Sequence, residues 1–295
     1  MQATTPKLTG SGSLGSQGTQ HMSELWDGFY LPDIQRTGSG IGFQTDFADF
    51  PKVLANVTGT VGPWNVFTGA DANTFIMGGD VQGGTLQVNL PATDNADAYV
   101  KLGGNSYAIV WTPEDDTFPY THHARVRFAT RFLLTSVTDN TIAFFAGLGS
   151  VIPQTALLTA NDSALIDGNF VGFKTLQADG DALLFTYQDA GQAEVNIALG
   201  AISANTWYRV GFDYNPAAKP AERLTIWLND EKFSTFVTQT TINAVGFPSS
   251  TDSAYAGMSP TFGAKNGSAA ANSAHFSHMR VCQEMLVAMG NEATG

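Results

Sequence analysis

A single cysteine, Cys282, stands in 295 residues. No intramolecular disulfide is available, so packing and hydrogen bonds alone hold the fold, and a thiol with no partner pattern reads as an ordinary buried side chain. Charge is scarce as well. Only 14% of the residues are charged, and 26 acids against 14 bases give a net charge of −12. That balance argues against nucleic acid and against an anionic membrane as the main partner. No run reaches the roughly 18 apolar residues of a transmembrane helix, and residues 1–10 lack the apolar centre of a secretory signal. Synthesis in the cytosol is the expectation. Long helical periodicity is also missing, apart from a tail over 283–289 that is expected to form a helical turn or two.

The familiar catalytic and cofactor patterns are absent too. There is no phosphate-binding glycine loop, no dinucleotide fingerprint and no Ser/His/Asp elbow. His122 and His123 are neighbours and face opposite sides of an extended chain, and His275 and His278, three apart, diverge in the same way. Neither pair has the spacing of a metal site, and no cofactor is expected.

What remains is strand pattern and turn chemistry. Tyr208, Val210, Phe212 and Tyr214 alternate with Trp207, Arg209, Gly211 and Asp213, and Leu224, Ile226 and Leu228 alternate with Arg223, Thr225 and Trp227. This is period 2, and the two prolines between the runs stop both, which predicts an antiparallel hairpin. In the run Ala124 to Leu134, Val126, Phe128 and Phe132 take one side and Arg125, Arg127 and Arg131 the other. Further strands are expected at 64–67, 85–90, 99–102, 142–148, 195–199, 233–237, 261–264 and 275–282. Asp179-Gly180 between apolar runs predicts a type I′ hairpin turn. Strands at intervals of about ten residues, with no forty-residue repeat, indicate an all-β sandwich rather than a propeller.

The segment Trp207-Tyr208-Arg209-Val210, the loop, Leu224-Thr225-Ile226-Trp227-Leu228 and the turn Asn229-Asp230 resemble the back half of a concanavalin A-like (laminin G-like, lectin/glucanase) jelly roll. The resemblance spans roughly residues 64 to 283 and implies an antiparallel β-sandwich. In that family the first of these strands brings an aromatic into the sandwich and the second ends in an Asn-rich turn. Its glycosidases place two carboxylates on one strand in a Glu-x-Asp-x-x-Glu pattern, since alternate residues share a face. No such pattern occurs here, and Glu114-Asp115-Asp116 reads as a solvated loop. The expectation is therefore that the chain is not an enzyme. Related lectin folds hold calcium in loops, which makes Asp179, Asp181 and Asp189 candidate ligands. Asp-Gly-Asp is already explained by the turn, and the spacing is not that of a calcium loop. Trp207 and Trp227 lie opposite the apolar rows of their strands, where they serve either as core under a second layer or as platforms for sugar stacking.

The chain divides into a flexible arm over 1–45, a sandwich over 46–285 and a tail over 286–295. The arm opens with a Gly/Ser-rich run and then carries Leu25, Trp26, Phe29, Tyr30 and Leu31, a cluster suited to docking on a neighbour, before the glycines from 38 to 42. Low charge, abundant Gly and Thr and an arm with an aromatic anchor resemble phage particle proteins that carry this fold. The expected function is that of a capsid decoration (cement) protein of a bacteriophage, residing in the virion as a homotrimer on the major capsid protein. Arg125, Arg127 and Arg131 are the candidate polar contact, and Trp26, Phe29 and Tyr30 the apolar anchor. The alternative is a lectin-like module whose partner is a surface glycan.

Overall fold

The computed structural model describes residues 25–26, 40–47, 53–55, 59–68, 74–77, 84–103, 109–110, 124–150, 157–159, 164–215, 224–233 and 257–285. These form two antiparallel sheets, and no strand pair is parallel. In chain order the strands are β1 (Gly40–Thr45), β2 (Val53–Ala55), β3 (Gly59–Val61), β4 (Trp64–Thr68), β5 (Thr74–Met77), β6 (Leu86–Leu90), β7 (Asp97–Leu102), β8 (Ile109–Val110), β9 (Ala124–Leu134) and β10 (Ile142–Gly149). They continue with β11 (Phe170–Leu176), β12 (Asp179–Gln188), β13 (Val195–Ala201), β14 (Tyr208–Tyr214), β15 (Leu224–Leu228), β16 (Glu231–Lys232), β17 (Gly257–Asn266) and β18 (Asn272–Met285). The first sheet runs β16-β15-β14-β9-β18-β6-β5-β2, with β1 also on β18, and the second runs β13-β12-β11-β10-β17-β7-β4-β3, with β8 also on β17. This is a jelly-roll β-sandwich.

The period-2 rows decide which side chains meet between the sheets. Val126, Phe128 and Phe132 of β9 and Val210, Phe212 and Tyr214 of β14 face Phe144 of β10, Phe173 of β11, Phe185 of β12 and Phe262 of β17 in one core. Aromatic rings bridge the layers: Phe132 and Phe144 stack at 4.4 Å, and Phe212 lies 5.8 Å from Phe185. Such pairs add about 1 kcal/mol each beyond their burial.

The predicted hairpin is present, with β14 and β15 paired from Val210↔Leu228 to Tyr214↔Leu224. At its far end Asn229 and Asp230, at φ 49° and 70°, make the two-residue turn into β16, the form in which both central residues take positive φ. Four expectations need correction. β18 continues through Gln283 to Met285 as strand, because Gln283 pairs with both Val126 and Ile41, so the tail does not turn helical there. The β11–β12 turn falls at Gln177 and Ala178, and Gly180 lies inside β12 without a positive φ. A Cβ on Gly180 would meet Val137 O at 2.8 Å, so close approach rather than turn chemistry calls for glycine there. Residues 40–45, expected as arm, are a strand in register with β18. Asp181 lies near the start of β12 and Asp189 just past its end, roughly 25 Å apart by strand rise, so Asp179, Asp181 and Asp189 do not converge. The expected strand at 233–237, His122, His123 and the Glu114 cluster lie, beyond Phe233 itself, outside the described residues.

Candidate functional site: the arginine face of the first sheet

The outward row of β9 is Arg125, Arg127, Ala129 and Arg131, as its alternation requires. Its neighbours complete three rows across the sheet. Asp213 of β14 stands opposite Arg127, with Cys282 of β18 on the other side. Gly211 stands opposite Ala129, flanked by Trp227 and Arg280. Arg209 stands opposite Arg131, with Ser277 beyond. Five of the chain's seven arginines therefore share one face of a protein of net charge −12.

Arg280 reaches this face through a bulge. Strand register slips between Ser277 and Met279, with His278 at φ 52°, a conformation uncommon for a residue with a side chain. Before the bulge His275 and Ser277 point outward. After it the parity reverses, Met279 and Val281 turn into the core and Arg280 and Cys282 turn out. Simple alternation hides this switch, which is why the sequence reading separated His275 and His278 and passed over Arg280. His278 is exposed; desolvation, then Arg280 and Arg131, lower its pKa, and Asp46 opposes them. Cys282 is buried, and burial pushes its thiol up to about 12.

The acids on the face are shared out unevenly. Asp213 receives two hydrogen bonds from Arg125, at 2.9 and 2.5 Å, and lies 3.7 Å from Arg127, which in turn is 3.9 Å from Glu284. Arg127 is 4% exposed, so its carboxylate neighbours offset a real desolvation cost. Arg209 donates to Asp230 at 2.6 Å, and its backbone N–H to the Asn229 side chain at 3.1 Å. Arg131 has no carboxylate within 4 Å among the described residues. Its guanidinium lies 4.8 Å over the Trp207 ring, and its Nε is buried without a hydrogen bond. Burial, then the facing Arg209, lower its pKa.

Leu25 and Trp26 sit on this same face. Leu25 is 1% exposed and packs with Ala129 and Trp227, and the glycine opposite Ala129 makes room for it: a Cβ on Gly211 would stand 2.8 Å from Leu25 Cδ2. Arg280 lies 4.1 Å over the Trp26 ring. The two readings left open for the tryptophans thus resolve differently. Trp227 is buried by Leu25 rather than by a second sheet, and Trp207 is half-buried beside Arg131 and His275. Of the sequence candidates, Arg125, Arg127, Arg131 and Trp26 fall on one face; Phe29 and Tyr30 lie outside the described residues. Arg209, Arg280 and Asp213 were not singled out, and His278 was weighed only as a metal ligand, although Arg209 and Asp213 were readable from the same alternation as the β14 core residues. Among the described residues no cluster of three His, Cys, Asp or Glu could hold a metal, and no helix is long and apolar enough to cross a membrane.

No family model matches the chain, and no curated protein matches it in sequence. Solved structures do. A protein of unknown function from Shewanella oneidensis MR-1 is similar at TM-score 0.51 and 14% identity, over 84% of this chain and 87% of that one. An endo-β-1,4-glucuronan lyase of the fungus Trichoderma reesei is similar at 0.48 and 12%, over 81% and 94%. A carbohydrate esterase of the Shiga toxin-encoding bacteriophage phi24B is similar at 0.40 and 15%, over 75% and 90%. At these identities the likeness is one of fold. It nevertheless corrects one expectation: the inference that the chain is not an enzyme does not stand. A lyase and an esterase are among the structures resembling this sandwich, and the missing Glu-x-Asp-x-x-Glu pattern belongs to glycosidases, so its absence excludes only that one chemistry.

Proposed function

We propose that the chain is a structural protein of a bacteriophage particle, a decoration (cement) protein that binds the major capsid protein and stabilises the head shell. The supporting observation is the seating of Leu25 and Trp26 on the arginine face. A sheet face with a Gly211–Ala129 floor, a tryptophan wall and arginines around it accommodates a polypeptide segment. Docking faces of this composition, aromatic and arginine-rich, carry much of their binding energy in a few anchors. A trimer seated at a threefold position would link three such contacts and gain avidity, since the second and third become intramolecular. The lone buried Cys282 fits a protein assembled without disulfides.

A second reading, a glycan-binding surface, is favoured by the half-buried Trp207, which stands beside His275 and the Arg131 guanidinium. The deciding experiment is quantitative analysis of purified particles. The decoration reading expects this chain at a copy number comparable to the shell protein, in trimers visible on the head at side-chain resolution. Its absence from particles, or its presence as glycan-bound monomers, would overturn that reading.

A further inference from the structure

Arg131 and Arg209 stand directly opposite each other across β9 and β14, an arrangement that costs stability unless a counter-charge sits between them. Asp230 neutralises Arg209 from the turn side. Asp230 acts on Arg131 only from beyond ion-pair distance, and the bulge places His278 within the field of both Arg131 and Arg280, with Asp46 opposing them. The Arg131 guanidinium also lies 4.8 Å over the Trp207 ring, a contact that favours an ordered donor fork. A guanidinium that lies over a ring and has no ion-paired carboxylate is a recognition point for a carboxylate through its terminal nitrogens, because the planar fork matches two carboxylate oxygens.

We infer that the Arg131, Arg209 and His278 end of this face binds the carboxylate side chain of an acidic polypeptide segment. This rests on the docking reading above and names the chemistry of the partner. A polypeptide is favoured over an acidic glycan by the neighbouring seat. One strand step from Arg131, the Gly211–Ala129 floor already holds a leucine of a polypeptide, and the sequence around that leucine reads Glu24-Leu25-Trp26-Asp27, apolar and aromatic residues between acids. Alternate residues of an extended segment lie ~7 Å apart, the same step that separates Ala129 from Arg131 along β9. The chain's own Leu25 fills the apolar seat, so the partner's carboxylate enters beside that leucine, one strand step along β9.

The test uses the full chain at low salt and pH 7. Two polyanions of similar length and charge, poly-L-glutamate and oligogalacturonate, are titrated while tryptophan fluorescence and heat are recorded. Poly-L-glutamate should bind and perturb tryptophan emission despite the protein's net negative charge, and Arg131→Gln should weaken it about tenfold. Lys232→Gln, which removes one exposed positive charge from β16 of the same sheet, should leave binding within about twofold, and both variants should keep the wild-type melting transition. No poly-L-glutamate binding, preference for oligogalacturonate, or equal losses in the two variants would each overturn the inference. Binding of poly-L-glutamate by a chain that proves absent from particles would sink the decoration reading alone and leave this site standing.

Discussion

The two outer faces of the sandwich both carry basic residues, and they use them in opposite ways. On the second sheet Lys101, Lys174 and Lys265 are at most 4% exposed. Two of them clamp main chain: Lys101 donates to Ser150 O at 2.7 Å, and Lys265 to Leu158 O at 3.1 Å. Lys174 meets Glu194, whose other oxygen accepts from Leu165 N at 3.0 Å. Leu157, Leu158 and Leu165, bridged Leu158↔Leu165, then close over Tyr99, Phe145 and Phe170 as a second small core. On the first sheet, apart from exposed Lys232 at the β16 edge, the cations of the described strands are arginines, tied to carboxylates and rings, and the apolar cover described is Leu25 with Trp26. An ammonium is a compact charge suited to capping carbonyls in a packed layer, whereas a guanidinium presents a planar fork and a stacking face. The lysine face is finished as structure, and the arginine face retains recognition chemistry.

That contrast is most sharply broken at the glycines beneath each cover. A Cβ on Gly263 of β17 would fall 1.9 Å from Tyr99 Cδ1 and 2.8 Å from Ala98 O. Gly263→Val should therefore destabilise by about 3 kcal/mol or more, at or above the usual cost of overpacking, or leave no cooperative transition in denaturant titration. A variant as stable as wild type would show that the lysine face is loosely packed.

The pH dependence of the clamped lysines separates the faces next. Burial lowers the Lys101 pKa to about 8 from 10.5. The folded state then releases this proton at lower pH than the unfolded chain does, so from pH 8 to 10.5 the unfolded state binds more protons and stability rises with pH. The gain has an upper size of ~3 kcal/mol, and below pH 8 it is absent. Lys101→Met should abolish that part of the rise when melting curves of the two proteins are compared at pH 7.5, 9 and 10.5; parallel pH profiles would refute the assignment.

The smallest effect is expected on the arginine face. Leu25→Ala empties the seat on Gly211 and Ala129, and for an arm that docks on a sandwich folded without it the loss is bounded by the docking energy. About 1 kcal/mol is expected, below the 2–5 kcal/mol of a core leucine truncation, with faster proteolysis before residue 40 and an unchanged sandwich transition. A loss as large as a core deletion would make the arm part of the domain.

Much of the architecture was legible because a strand buried on one face repeats every two residues, and that period survives in the sequence whatever the strand packs against. The rows Val126, Phe128, Phe132 and Tyr208, Val210, Phe212, Tyr214 announced their core faces, and the same alternation put Arg125, Arg127 and Arg131 together on the other. What decided their roles was not local. Asp213, 88 residues from Arg125, takes up Arg125 and lies close to Arg127 while Arg131 keeps only a ring. The bulge at His278 reverses parity by one residue and brings Arg280 to the face, which no period reveals. Trp227 looked equally ready for core or platform, and only the arrival of Leu25, some two hundred residues earlier in the chain, buries it. Strand period and the absence of a disulfide follow from residue identity alone. Charge pairing, cover and register depend on which distant strands become neighbours, and that is a property of the folded sheet order.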